Sequence, residues 1–127
     1  MHDQHNRDAP ASHQIRLQSV WDPPLPGSDA WRRQFGRPAG IDPGVRVMLV
    51  VESPAMASLT LNGVSLPPAS EACWRHDVTA LLVDRNEMVV VPAFASGEAA
   101  DAHGRVSLPI TVGRVFLEIL TPPHADQ

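Results

Sequence analysis

The segment Trp74-Arg75-His76-Asp77 gathers four side chains whose types and spacing could do chemistry. A His beside a carboxylate suggests acid–base work, and a Trp flanked by hydrogen-bond donors offers a flat apolar face on which a sugar ring can stack. Trp74, Arg75 and His76 are therefore the candidate ligand-binding residues, set against a reading in which Trp74 plugs one end of the fold from a loop-like segment. Cys73 precedes His76 by three residues, which in a strand places the two on opposite faces. An inert thiol, buried or half-buried, is the expectation for it. Asp77 and Thr79 suit a different task, because each can accept hydrogen bonds from backbone N–H groups two or three residues on. A single helical turn through "TALL" is expected there, with Leu81 and Leu82 buried behind it.

Other chemistry finds little purchase. The six histidines stand at positions 2, 5, 13, 76, 103 and 124 without an HxxxH pair, so no metal site is expected; His2 and His5 belong to a solvated arm rather than a pre-organised ligand set. There is no G-x-S-x-G elbow and no glycine-rich phosphate cradle, and no cofactor is implied. Glu71, Asp77, Asp84, Glu87, Glu98 and Glu118 could supply a carboxylate pair, but nothing in their order makes two of them converge. Ten basic residues against 14 acidic ones, with "WRRQFGR" the only basic concentration, argue against a nucleic-acid partner. No segment approaches the ~18 continuous apolar residues of a membrane helix, and the start of the chain has no apolar signal core. With one cysteine, which excludes an intramolecular disulfide, the expectation is a soluble, cytoplasmic protein without a membrane partner.

The elements that would position these residues are strands. Thirteen prolines in 127 residues leave no window of helical length free of Pro or β-branched clusters. Residues 1–13 read as a disordered arm. From Ile15 the chain alternates, with Ile15, Leu17, Ser19 and Trp21 on one side and Arg16 and Gln18 on the other. In "WRRQF" Trp31 and Phe35 share a face with Arg33, either a buried Arg paired with a carboxylate or a sign that this face is open. Val45, Val47, Leu49 and Val51 form the next strand; Met48 and Val50 make its other face apolar too, as in a central strand covered on both sides. Leu59 and Leu61 lead into Asn62-Gly63, which tolerates positive φ at both central positions of a type I′ hairpin. Asn86 reads as a tight turn with positive φ feeding a strand over Met88–Val91. An exposed loop, "ASGEAADAHG", precedes two last strands, "RVSLPITV" and "RVFLEIL", joined at Gly113. Together these imply an all-β chain: one antiparallel β-sandwich of the jelly-roll kind over residues 14–121, with a disordered tail at 122–127.

In this order, "WRRQF", "VRVMLVVE", "ASLTLNGVSLP", "HDVTALL" and "NEMVVV" resemble the sugar-binding jelly roll of glycoside hydrolase family two, the β-galactosidase and β-glucuronidase group, within the broader galactose-binding-like domains. The resemblance covers about residues 15–92, and "GRVFLEIL" resembles the strand that closes that domain. It implies a nine-strand-like sandwich. It also implies a non-catalytic module, because the catalytic acid and nucleophile of those enzymes belong to a separate barrel domain, so no catalytic residue is carried over. Asp84-Arg85 stands before Asn86 where the family commonly has Gly, and the loop between "NGVSL" and "HDVT" is short, with fewer ligand contacts to offer. The resulting expectation is a module that binds a carbohydrate or related polar ligand through loops at one end. The alternative is a structural or protein-interaction module, a homo-oligomer included, that uses the apolar second face of residues 46–50.

Overall fold

A computed structural model of the chain describes residues 11–66, 72–94 and 104–121. The described strands are β1 (Ala11–Arg16), β2 (Trp31–Gly36), β3 (Arg46–Glu52), β4 (Met56–Leu61), β5 (Val64–Leu66), β6 (Cys73–Asp77), β7 (Arg85–Pro92) and β8 (Arg114–Thr121). They form two four-stranded sheets, ordered β1-β8-β3-β6 and β2-β7-β4-β5, antiparallel throughout. The only described helical element is a 3₁₀ turn at Thr79–Leu81, and no helix among the described residues is long and apolar enough to cross a membrane.

Period-two alternation explains why these segments pair face to face. Val47, Leu49 and Val51 of β3, Trp74 of β6, and Val115 and Leu117 of β8 point inward from the first sheet. They meet Trp31, Leu59, Leu61, Leu66, Met88 and Val90 from the second, and Leu17, Trp21, Val78, Leu82, Leu108 and Val112 complete the core from the connections. As expected, β3 is central, flanked by β8 and β6. On its outward face Val50 stands opposite Arg75 on one side and Phe116 on the other, and it is buried there.

The hairpin forms as its sequence dictates, with Asn62 at φ 52° and Gly63 at φ 81° between the paired Leu61 and Val64. Other expectations are corrected. Pairing begins at Ala11 rather than after residue 13, because β1 lies against β8 from Ala11↔Thr121 to Arg16↔Phe116. The rest of the expected arm, the tail at 122–127 and nearly all of the "ASGEAADAHG" loop lie outside the described residues. Segment 105–112 is not a strand: it makes one bridge, Val106 to Trp21, and then turns. Pro109 has no N–H to give a ladder, and Leu108 donates instead to the Gln18 carbonyl (2.8 Å). Asn86 is not a positive-φ turn residue; it lies inside β7.

Gly113 links that turn to β8 with φ 145°. A Cβ built there would lie 2.8 Å from Val51 Cγ1 and 3.2 Å from Met56 Cε, so both the backbone and the core require glycine. Gly113→Ala is expected to lower stability by roughly 1–3 kcal/mol, read as a lower urea midpoint at unchanged slope.

Candidate functional site

Trp74, Arg75 and His76 lie on strand β6, not in a loop, and strand alternation separates them. Trp74 faces inward with 6% of its surface exposed. His76, half-buried, stacks on it with ring centroids 5.6 Å apart and planes 9° from parallel. Arg75 points to the opposite face and forms an ion pair with Glu118 of β8. Since β3 lies between β6 and β8, that side chain crosses the outward face of β3 beside Val50. The tryptophan and the guanidinium therefore do not share a surface. Cys73, also outward, is exposed rather than buried, and it faces away from His76. Arg33 is half-buried and donates to two carbonyls, Ser19 and Gln34 (2.6 Å each), instead of to a carboxylate. Burial, and secondarily the nearby Arg105, lowers its pKa.

The residues read as structural do converge. Asn86 is fully buried. Its Oδ1 accepts from the Val83 N–H and from Asn62 Nδ2 (2.9 Å each), and its Nδ2 donates to the carbonyls of Val83 (2.9 Å) and Phe35 (3.3 Å). Asn62 also donates to the Leu81 carbonyl and accepts from the Glu87 N–H (2.9 Å each). Two amides thus join the hairpin, the 3₁₀ turn, β7 and β2. Asp77 Oδ1 accepts from the Thr79 N–H (2.9 Å) and hydroxyl (2.7 Å), while its Oδ2 takes two bonds from Arg46 (3.0 and 2.8 Å). Thr79 does not cap its own turn; its oxygen accepts from the Val47 N–H of β3 (2.8 Å), pinning the turn to the central strand. The Thr79 hydroxyl, then its N–H and to a smaller extent Arg46, hold the Asp77 carboxyl below its ordinary range, with burial opposing them.

A concave site lies elsewhere, on the outward side of the first sheet. A cleft of about 470 Å³ is lined by Gln14, Arg16, Glu52, Ile110, Arg114 and Phe116, with Gln18 and Val115 behind. All but Ile110 come from β1, β3 and β8 or the residue positions that follow β1, so paired strands fix their spacing. Gln18 fixes the remaining wall: its Nε2 donates to the Leu108 (2.7 Å) and Gly113 (3.0 Å) carbonyls, and its Oε1 accepts from the Val115 N–H (2.9 Å). Ile110, 59% exposed, is thereby held over the cleft. An aromatic face, two guanidiniums, a carboxylate and an amide around one concavity can bind a polar ligand with an apolar side. A smaller hollow of about 260 Å³, bounded by Asp22, Phe35, Arg85 and Arg105, already uses two of its charges in the Arg105–Asp22 pair. The sequence does show Arg16 and Gln18 on the face opposite Ile15 and Leu17. What joins them to Glu52 and Arg114 is the order of β1, β8 and β3, which the sequence does not display.

No protein-family model and no curated protein matches the chain. Among solved structures, it is similar to an FMN-binding β-glucuronidase from Faecalibacterium prausnitzii L2-6, with a TM-score of 0.59 and 18% identity over 88% of this chain and 23% of that one. A second Faecalibacterium prausnitzii β-glucuronidase gives 0.55 and 18% over 88% of this chain and 32% of its own. The chain spans less than a third of either enzyme. It has the β-sandwich fold that occurs within these glycoside hydrolases, in agreement with the resemblance read from its motifs.

Two substitutions test the architecture around the turn. Asn86→Ala leaves the buried partners of its amide unsatisfied and is expected to cost about 3 kcal/mol, measured by urea unfolding. Asp77→Ala, which removes the bonds to Thr79 and Arg46, is expected to cost about 1 kcal/mol at neutral pH. Asp77 is not the N-cap of the turn, a position that Val78 holds without a side-chain bond. Because the folded pKa of Asp77 is depressed, its contribution is complete above the ordinary carboxylate pKa of about 3.9 and disappears as pH falls through the folded value. The Asp77→Ala penalty should therefore shrink in acid, which unfolding curves recorded across that range will show.

Proposed function

We propose that this chain is a non-catalytic β-sandwich module that binds a carbohydrate through the cleft on the outward face of β1, β8 and β3. The observation that carries this reading is the cleft itself: Phe116 beside Gln14, Arg16, Glu52 and Arg114 in about 470 Å³, within the size range of small-molecule sites. An aromatic ring supplies an apolar platform for the C–H face of a pyranose. Amide, guanidinium and carboxylate groups supply both donors and acceptors for its hydroxyls. Solved chains with this sandwich are β-glucuronidases, which favours saccharides among polar ligands. Trp74 is not the platform in this reading, since His76 covers its ring and the core holds it.

The test is a glycan array followed by titration calorimetry with the best binders. Phe116→Ala and Gln14→Ala should each weaken binding, Phe116→Ala by roughly tenfold, about 1.4 kcal/mol. Gln14 is exposed, so its variant separates lost binding from lost folding. Absence of binding to every sugar at millimolar concentration, or affinities that neither substitution alters, overturns the proposal. Light scattering that shows a stable homo-oligomer closing over this face would favour the interaction-module reading instead.

A further inference from the structure

The hollow of about 260 Å³ lies over the edge of the second sheet, lined by Val20, Asp22, Arg85, Arg105 and the β2 residues 34–36. β2 pairs with β7 on one side. On its other side Arg32 exchanges both of its backbone bonds with Asp22 (2.8 and 3.2 Å), and strand alternation turns the N–H and C=O groups of Gln34 and Gly36 to that same edge. The Gln34 carbonyl is taken by Arg33, but the two N–H groups have no backbone acceptor among the described residues.

Charge accumulates at the same place. Arg85 comes from β7 opposite Gly36; strands lie about 4.8 Å apart, and a glycine leaves the way to the edge open for the long side chain. Arg105 gives Asp22 only its Nε–H (3.2 Å), and its two Nη groups have no partner among the described residues. Arg33 stands just behind, anchored on the Ser19 and Gln34 carbonyls (2.6 Å each). Burial, and then the charge of Arg105, lowers its pKa, so these two guanidiniums repel each other and neither is free to withdraw. Glu87, opposite Gln34, is engaged by Arg32. With Asp22 counted against the three guanidiniums, the site carries a formal charge of +2 on a chain whose total is −4.

We propose that this hollow binds a tetrahedral dianion, the phosphoryl group of free phosphate or of a small phosphate monoester, between Arg85, Arg105 and the N–H groups of Gln34 and Gly36. Guanidiniums match phosphate oxygens with parallel N–H groups, and the N–H groups of a sheet edge form an anion-binding concavity. A dianion balances the excess of two positive charges and relieves the repulsion between Arg33 and Arg105, whereas a monoanion leaves half of it. Val20, 45% exposed, and Phe35 wall the rest of the hollow and suit the short carbon chain of a monoester. Val20 is held there at φ 66°, a conformation that β-branched residues avoid, between the Ser19 carbonyl that Arg33 grips and the Trp21–Val106 bridge. The wall is thus fixed before the ligand arrives, which lowers the ordering cost of binding. No residue is shared with the cleft of β1, β8 and β3, so the two sites stand or fall separately.

The experiment is calorimetric titration of the full chain with inorganic phosphate, glycerol 3-phosphate and acetate at matched ionic strength. Both phosphates are expected to bind at least about tenfold more tightly than acetate. Tighter binding of glycerol 3-phosphate assigns the site to a monoester, and the reverse order assigns it to free phosphate. Arg85→Gln and Arg105→Gln should each weaken phosphate binding by about tenfold. Arg85 is exposed, so its variant should melt like the parent chain and separate lost binding from lost folding. Equal affinity for acetate overturns the assignment to a dianion. Absence of phosphate binding at millimolar concentration, or an affinity that neither substitution changes, overturns the site. Phosphate binding that is lost with Arg16→Gln and kept with Arg85→Gln places the anion in the other cleft and overturns it as well.

Discussion

The sandwich depends on the paired amides of Asn62 and Asn86. Asn86 sits fully buried in β7 at a position where an apolar side chain would leave the Val83 backbone groups without partners. A buried amide is tolerable only when its donors and acceptors are satisfied, and here every one of its polar atoms has a partner. Asn62 uses its backbone for the left-handed hairpin turn and its side chain to reach across to Asn86, Leu81 and Glu87. The hairpin is consequently fastened to the segment that carries the chain from one sheet to the other.

A second neutral amide plays the same part at the opposite segment. Gln18 joins the continuation of β1 to the 108–113 turn and to the start of β8, while Trp21, buried beside it, donates from its indole to the Leu17 carbonyl (2.5 Å). Both hubs use uncharged groups, which avoid the desolvation penalty a buried ion would carry. Of the four ion pairs among the described residues, three tie strands together and the Arg105–Asp22 pair joins two connections, while Arg16, Glu52 and Arg114 line the cleft. Amides fix the two buried junctions, and charged groups bind the backbone at more open ones: Arg33 at the Ser19 and Gln34 carbonyls, Arg37 at the Leu82 carbonyl and Asp77 at the Thr79 N–H.

Local chemistry made much of the frame legible. Asn-Gly sets a hairpin because both residues accept positive φ, alternating apolar residues set the inward faces of β2, β3, β4 and β8, and Asp77 with Thr79 marks the 3₁₀ turn. The role of Thr79 was less legible, since its oxygen serves the backbone of β3, 32 residues away in sequence. Segment 105–112 alternates well enough to look like a strand; its hydrogen bonds go to Trp21 and Gln18, partners that only the folded chain supplies. Conversely, Trp74-Arg75-His76 looks like a cluster when written in a line, and the strand that carries it sends adjacent side chains to opposite faces.

By itself, then, the sequence determined the periodicities and turns, and through them an antiparallel sandwich with the core faces of its principal strands. Those features arise from interactions between residues close in the chain, or from the requirement that one face be apolar. The cleft, the amide hubs and the burial of Trp74 were decided by tertiary structure. Each brings together residues separated by tens of positions, and their meeting depends on strand order within a sheet, a property that no local preference encodes.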